Sequence, residues 1–498
     1  MSTNELSNKI RGALFVFLAV FTTCLPVGMV ASTGWAVTYY VATTGNDSNP
    51  GTSPQPWKTI QKAANTMVAG DTVTVLAGSY TSERVQVTRS GSTGAPITFQ
   101  AQGTVTMQGF TIDPADYVTI RGFHITAPAD NSTTGWGIYY RGRHGIIENN
   151  HIIYCTRGGI WLKTATGSEA NTSDCIVRNN ELERNEQVGI NVHGRNHLIE
   201  NNNIWGTIQY HPLHTVVGGE DADGITYHGS GHTFRGNYIH DILYGAAGIH
   251  PEATPPDYND APHIDCFQTF ATDAQNEVAS DCTFEKNTCS LPEDYPAAGV
   301  GGKGWDIEGT KSGSTFINPP SNNIVIKNNV VIAQQPGRFK NATNLNILNN
   351  TFIGEANNYS GSTGVWLKQC VTTTIQNNIF AYQENGQKYI ASDSGDPSGA
   401  TLTAGYNCVY RGGGLTPTPP SYPHDVWNQN PQFTTEFTNL MPLGTSPCID
   451  AGYTIASVTD DYAGTARPQG TAYDIGAYEF VSGSPNRPSP PTNLRLLQ

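Results

Sequence analysis

Three short phrases place chemistry-bearing side chains in step with one another. Asp223-Gly-Ile225-Thr-Tyr-His228, Asp265-Cys-Phe267-Gln-Thr-Phe270 and Lys303-Gly-Trp305-Asp306-Ile-Glu308 each carry a charged residue two places before a central apolar one. Further copies centre on Ile138, Ile160, Ile190 and Val365. One place after the central residue stand Tyr139, Trp161, Asn191, Thr226, Gln268, Asp306 and Trp366. Three places after it stand Arg141, Lys163, His193, His228, Phe270, Glu308 and Lys368. In a strand whose central residue points inward, positions one and three later both face outward. Aromatic faces stack on sugar rings, and carboxylates and cations bind hydroxyls or uronate groups, so such a stripe suits a sugar chain. Two carboxylates drawn from Asp223, Asp265, Asp306 and Glu308 are the tools of glycoside hydrolysis. His228, His232 and His250 are each candidate general bases. Acidic residues at Asp221, Asp223, Asp257, Asp260 and Asp265 offer the oxygen ligands that Ca²⁺ requires. The histidine and aspartate spacings match no zinc signature.

The elements that must hold these rows are short strands on a repeating coil. A second phrase, an apolar residue and a polar one followed by Asn-Asn, recurs with its second Asn at 150, 180, 202, 329, 350 and 378. Degenerate copies place that residue at Asn237 and Asn287. The shortest gaps, 21, 22 and 28 residues, give the length of one coil. Stacked coils set like residues in ladders, and an Asn at the bend tolerates left-handed φ while its amide bonds to the next turn. The pattern predicts an all-β, parallel β-helix over residues 37–480. Propeller blades need a regular period of about 40–50 residues, which this spacing lacks. The longest gaps, 35, 50 and 42 residues, fall at the three charged copies, and long inserted loops in a regular coil tend to be functional. Ile60, Ala63, Ala64 and Met67 share one face, which predicts a short helix over 57–68 covering the first coil.

Composition agrees with an exported, helix-poor protein. Among 498 residues there are 53 Gly and 30 Pro, too many for long helices to dominate. Lys plus Arg is 27 against 41 Asp plus Glu, a net charge of −14 that argues against nucleic acid or an anionic membrane as general partner. Lys9 and Arg11 precede an apolar run from Ala13 to Val30, and Gly34-Trp35-Ala36 offers a small-x-small cleavage site. Residues 1–36 therefore read as a signal peptide, and the mature chain as a monomer in the periplasm or medium of a bacterium, without a membrane span. Removal of Cys24 leaves an even set of cysteines, with Cys282–Cys289 and Cys408–Cys448 the expected local disulfides and buried free thiols the alternative.

The opening, Tyr40-Val-Ala-Thr-Thr-Gly-Asn-Asp-Ser-Asn-Pro-Gly-Thr52 with Pro56-Trp-Lys-Thr-Ile-Gln-Lys-Ala63 and Ala69-Gly-Asp-Thr-Val-Thr-Val75, resembles secreted right-handed β-helix proteins, including family 9 pectate lyases. Asp221-Ala-Asp-Gly-Ile225, followed by Gly229 and Phe234-Arg-Gly236, is similar to a segment of that family whose Asp binds calcium. The resemblance places that role on Asp223 and a second ligand on Asp265. At the family's catalytic lysine stands Asp306, with Lys303 three residues earlier. What the resemblance implies is a lyase that cleaves an acidic, uronate-containing polysaccharide by β-elimination, with Ca²⁺ held by Asp221, Asp223 and Asp265. Lys303, Asp306, Asp265 and His228 are its expected catalytic set, with Lys303 the neutral base. Arg141, Trp161, Lys163, His193 and Glu308 are expected to bind substrate. A carboxylate-pair hydrolase and a non-catalytic carbohydrate-binding β-helix are the alternatives. Asn430-Pro-Gln-Phe433, Ser446-Pro-Cys-Ile-Asp-Ala-Gly452 and Tyr473-Asp-Ile-Gly-Ala-Tyr-Glu479 resemble a segment that closes many secreted β-helices, expected here as a cap over the last coil. A Pro/Ser-rich tail, 481–498, follows.

Overall fold

Asparagine pairs are the hinge on which the chain turns, and the two members of each pair do different work. The first takes left-handed φ: Asn149, Asn179, Asn201, Asn328, Asn349 and Asn377 lie between 52° and 58°. Lys286 and Gly236 take that place in the degenerate copies. The second points into the coil and builds the ladder. Asn287 Oδ1 accepts from the Asn237 backbone N–H and from its Nδ2, both at 3.0 Å. Asn287 Nδ2 in turn donates to Phe234 O and to Asn329 Oδ1. The same bonds run from Asn150 to Asn407, a rung the repeat phrase does not mark. Each buried amide thus joins three coils, which satisfies groups that water cannot reach.

The computed structural model describes residues 36–482 apart from 128–132, 165–168, 210–220, 243–262, 273–276, 292–300, 355–363, 383–387, 394–395, 397 and 399–400. Residues 1–35 of the expected signal, the tail from 483, and His250, Asp257 and Asp260 lie outside the described residues. Strands from Thr38–Val41 to Val426–Trp427 pair parallel, coil on coil, within one sheet of 34 strands, as the expected β-helix requires. The antiparallel strand pairs among the described residues are Lys311–Ser312 with Thr315–Phe316, and Phe433–Thr435 with Asn439–Pro442. The central apolar residues are stacked in register: Ile138, Ile160, Ile190, Ile225, Phe267 and Trp305. All are at most 1% exposed and form the core with the inward residues of the other strands.

The helix is Ile60–Thr66, shorter than 57–68 because Thr59 caps it, its hydroxyl accepting from the Lys62 N–H. It buries Ile60, Ala63 and Ala64, with Met67 beneath its end. No helix among the described residues is long and apolar enough to cross a membrane.

Three expectations are corrected. Cys289 bonds Cys266, not Cys282. Cys282 ends the turn before Thr283–Glu285, whereas Cys266 and Cys289 sit on strands of the same coil interior, both buried. Cys408 and Cys448 do meet, as hydrogen-bonded buried thiols rather than a disulfide. The C-terminal segment lies along the side of several coils instead of only over the last. Asn328 Nδ2 donates to Asp460 O, Asn349 Nδ2 to Asp474 O, and Asn377 Nδ2 to Tyr453 O.

Candidate active site

The row one place after the core residue is continuous in the structure: Tyr139, Trp161, Asn191, Thr226, Gln268, Asp306, Arg338, Trp366. Arg338 belongs to Gln335–Lys340, a copy the repeat phrase misses because Gly337 replaces the central apolar residue. The Phe339 ring fills that space, and a Cβ on Gly337 would stand 2.6 Å from it. Lys340, three places after Gly337, pairs with Glu308 in the other outward row. The signal available in the sequence was the alternation Arg338-Phe-Lys340 itself.

Around Asp306 and Glu308 these rows build a charge network. The Arg338 guanidinium grips Asp306 through Nε and Nη2, and Lys340 bonds Glu308 while standing 3.7 Å from Asp306. Lys311 also bonds Glu308. Burial alone would raise the Asp306 carboxyl, but Lys303, Arg338 and Lys340 outweigh it and hold the group below its usual range. Glu308 is likewise held down, against burial, by Lys340 and Lys311. Both carboxylates line a hollow of about 270 Å³ with Asp221, Gln268, Phe270 and Arg338. A second hollow, sharing Asp221, Gln268 and Phe270, continues past Asp223, Thr226 and His228 to Asn191 and Val188.

Asp223, Asp265 and Lys303 do not stand on the outward stripe. A position two before an inward residue lies on the same side of a strand as that residue. The three are 0%, 0% and 1% exposed. Lys303 Nζ bonds Asp265 Oδ1 at 2.8 Å and lies 3.9 Å from Asp306 Oδ2. The residue expected as the neutral base is therefore a buried ion-pair partner of Asp265, lying beneath the cleft.

The carboxylates expected to hold Ca²⁺ are partly engaged. Asp221 accepts from the His263 N–H and from Gln268 Nε2, and Asp223 Oδ1 accepts from the Asp265 N–H. Asp223 Oδ2 and Asp265 Oδ2 are buried without a hydrogen-bond partner. Burial, with Asp221 and Asp265 adding, pushes Asp223 well above the usual carboxylate range, and burial raises Asp265 despite Lys303. Two orphaned, crowded carboxylate oxygens fit a hard cation, although they supply only part of the six to eight oxygens calcium takes. Among the described residues, no group of three or more His, Cys, Asp and Glu side chains stands ready to hold a metal.

The remaining expected residues divide. Trp161 packs with Trp136 and Tyr139 at 4.8 and 5.5 Å, with Lys163 Nζ 4.6 Å over its ring. Val188 joins this aromatic patch to the cleft. His193 stacks on His228 at 4.5 Å. His228 is held neutral, its pKa pushed well down by burial and by His193. Arg141 is not brought to the cleft: it pairs with Asp113 and lines a separate hollow with Asp116 and Arg143. Glu277, which no phrase singles out, bonds His193 from a segment inserted between strands.

Residues 39–242 match the family model described as Pel9A-like, right handed beta helix region, which also supplies the hand of the coil. An uncharacterized protein, YwoF, of Bacillus subtilis (strain 168) is 33% identical over 131 residues, covering 23% of this chain and 28% of that protein's length. The complex structure of XylC with xylose aligns with 89% of this chain and 98% of that one, at 14% identity and a TM-score of 0.57, a likeness of fold. The crystal structure of pectate lyase Pel9A aligns with 89% of this chain and 96% of that one, at 15% identity and a TM-score of 0.46.

Proposed function

We propose, from the premise that residues 39–242 are a Pel9A-like right-handed β-helix region, that the protein is a carbohydrate-active enzyme cleaving a uronate-containing polysaccharide by β-elimination. The observation that carries the choice of chemistry is the state of Asp306 and Glu308. Hydrolysis by a carboxylate pair needs one carboxylic acid, its pKa raised, to protonate the leaving oxygen. Both outward carboxylates are instead held ionised by flanking cations. Elimination needs no such acid pair; it needs positive charge near the substrate carboxylate, a role open to Arg338, Lys311 and Lys340 once a uronate competes for them. Trp161, partly exposed and packed on the buried Trp136 and Tyr139, supplies a stacking face for a neighbouring sugar ring. Asp221, Asp223 and Asp265 would hold Ca²⁺, which when bound supplies charge that stabilises the carboxylate as its neighbouring proton leaves.

Hydrolysis remains the second reading because Asp223, a raised carboxyl, lines the second hollow, with Asp265, also raised, buried beside it. The two chemistries part in their products. Incubation with polygalacturonate, alginate and glucuronoxylan should raise reducing ends and the ultraviolet absorbance of an unsaturated uronate together. A chelator should suppress both, and added Ca²⁺ restore them. Reducing ends without absorbance would establish hydrolysis; binding without either would make this a carbohydrate-binding β-helix. Export belongs to the same proposal, and deleting residues 1–36 should retain the protein in the cell.

A further inference from the structure

We infer that His193, oriented by Glu277, is the base of this reaction, an inference that rests on the proposed elimination. His193 Nδ1 and Glu277 Oε2 are 2.5 Å apart, and the other Glu277 oxygen accepts from Thr164 Oγ1 at 2.6 Å. Both partners are nearly enclosed, with side chains 11% and 12% exposed. Glu277 reaches these groups across 84 and 113 residues of sequence, from the segment that follows Ile264–Thr272 back past the coil of Asp223–Tyr227. A carboxylate fixed at both oxygens holds the imidazole in one orientation and fixes the proton on Nδ1. Nε2 makes no hydrogen bond among the described residues, so its lone pair is available. The ring stacks on His228, a residue of the cleft wall, and stands 6.1 Å from Trp161 in the sugar-stacking patch.

The charged and titratable groups around the ring are Glu277, Lys163 and His228, with the buried, neutral His197 and His232 behind it. Burial lowers its pKa, Glu277 opposes this and Lys163 reinforces it, leaving a neutral imidazole at neutral pH. The Glu277 carboxyl, bonded by His193 and Thr164 against its burial, is held at about 2 and stays ionised. The step balances without a co-reactant. Nε2 takes the proton from the carbon beside the uronate carboxylate. That C–H pair becomes the new C=C bond as the adjacent glycosidic C–O bond breaks. The leaving oxygen keeps the bond pair and takes a proton back from the imidazolium. Glu277 acts through His193 and is a positioning residue, since it does not itself reach the substrate.

The test is steady-state cleavage of the polymer that wild-type protein degrades, for His193→Ala, Glu277→Gln and the milder Thr164→Val, each assayed well below its own melting temperature and checked for a native circular dichroism spectrum. His193→Ala should lose roughly 10²–10⁴-fold in kcat, as expected for a missing general base, and added imidazole should restore part of it. Glu277→Gln should lower kcat roughly 10-fold or more with KM kept. It should also move the acidic limb of the pH profile to lower pH, because the carboxylate that raised the His193 pKa is gone. A purely structural Glu277 would leave that limb in place. Retained activity in His193→Ala, or an unmoved limb with unchanged kcat in Glu277→Gln, overturns the assignment while leaving the proposed function intact. A wild-type protein that cleaves none of the polymers overturns the function itself, and the base with it.

Discussion

Lys303 and Asp265 show at residue scale how a charge pair can lie under a cleft rather than in it. With 1% and 0% of their side chains exposed, each is the other's substitute for water. Removing one partner leaves the other charge uncompensated, a loss of about 3–5 kcal/mol in such settings, whereas replacing both by apolar groups is often neutral. Lys303→Met should therefore lower the urea midpoint steeply, and the double variant Lys303→Met with Asp265→Leu should recover most of the loss. Equal losses in single and double variants would mean that the pair is not coupled. The same experiment separates stability from chemistry, because activity that survives in the stable double variant would remove both groups from the reaction.

Strands and turns carry the next scale, and the asparagine pairs allow a paired comparison. Asn287 is buried and serves Asn237, Phe234 and Asn329; Asn149 is exposed with φ 56°. Each buried group left without a partner costs about 1–3 kcal/mol, so Asn287→Ala should destabilise by at least about 3 kcal/mol. Asn149→Gly keeps the left-handed turn and should stay within about 0.5 kcal/mol. Thermal melts of the two variants decide it. A second turn ladder is built from histidines: the His197 N–H donates to His232 Nδ1, the rings stack at 5.1 Å, and each Nε2 donates to a carbonyl, of His193 and His228. Burial pushes His232 down to about 4 and His197 well down. Below about 6.5 the unfolded chain binds protons that these rings refuse, so their contribution is full above that pH and is lost as pH falls towards 4. Wild-type melting temperature should fall across this window, and His232→Gln should flatten the slope while lowering stability at neutral pH. Glu277, depressed to about 2, acts in a lower window, losing its contribution between about 4.5 and 2.

For the described molecule as a whole, the C-terminal segment matters because it runs lengthwise along the coils. Its anchor is Arg467, paired with Glu479 at 0% exposure for both side chains, and bonded to Asn328 Oδ1 and to Asp474 and Gly476 carbonyls. In a stack, each coil contacts only its neighbours, so damage stays local. Arg467→Met leaves the buried Glu479 carboxylate without its counter-charge, at a cost of about 3–5 kcal/mol. Hydrogen exchange should then rise around Asn328, Asn349 and Asn377, with the coils from Ile138 to Ile190 still protected. Uniform loss of protection along the chain would contradict this division.

Alternation and the Asn-Asn phrase were enough, by themselves, to specify coil length, register and the outward rows, because a two-residue period sets every side chain's face once one core residue is known. That is why Tyr139, Trp161, Gln268 and Asp306 could be aligned from sequence and reappear as neighbours. Depth was not legible in the same way. Asp223, Asp265 and Lys303 share the parity of the core residue, and only the stack shows how deeply they are buried. The copy at Gln335–Lys340 was hidden because Phe339 fills the space of a missing side chain at Gly337. Contacts between distant segments lay beyond any local pattern: Glu277 meeting His193, Cys266 meeting Cys289, and Arg467 meeting Asn328. Such pairs are decided by how inserted loops and the C-terminal segment fold back over the coils, and no periodicity encodes the path of a loop.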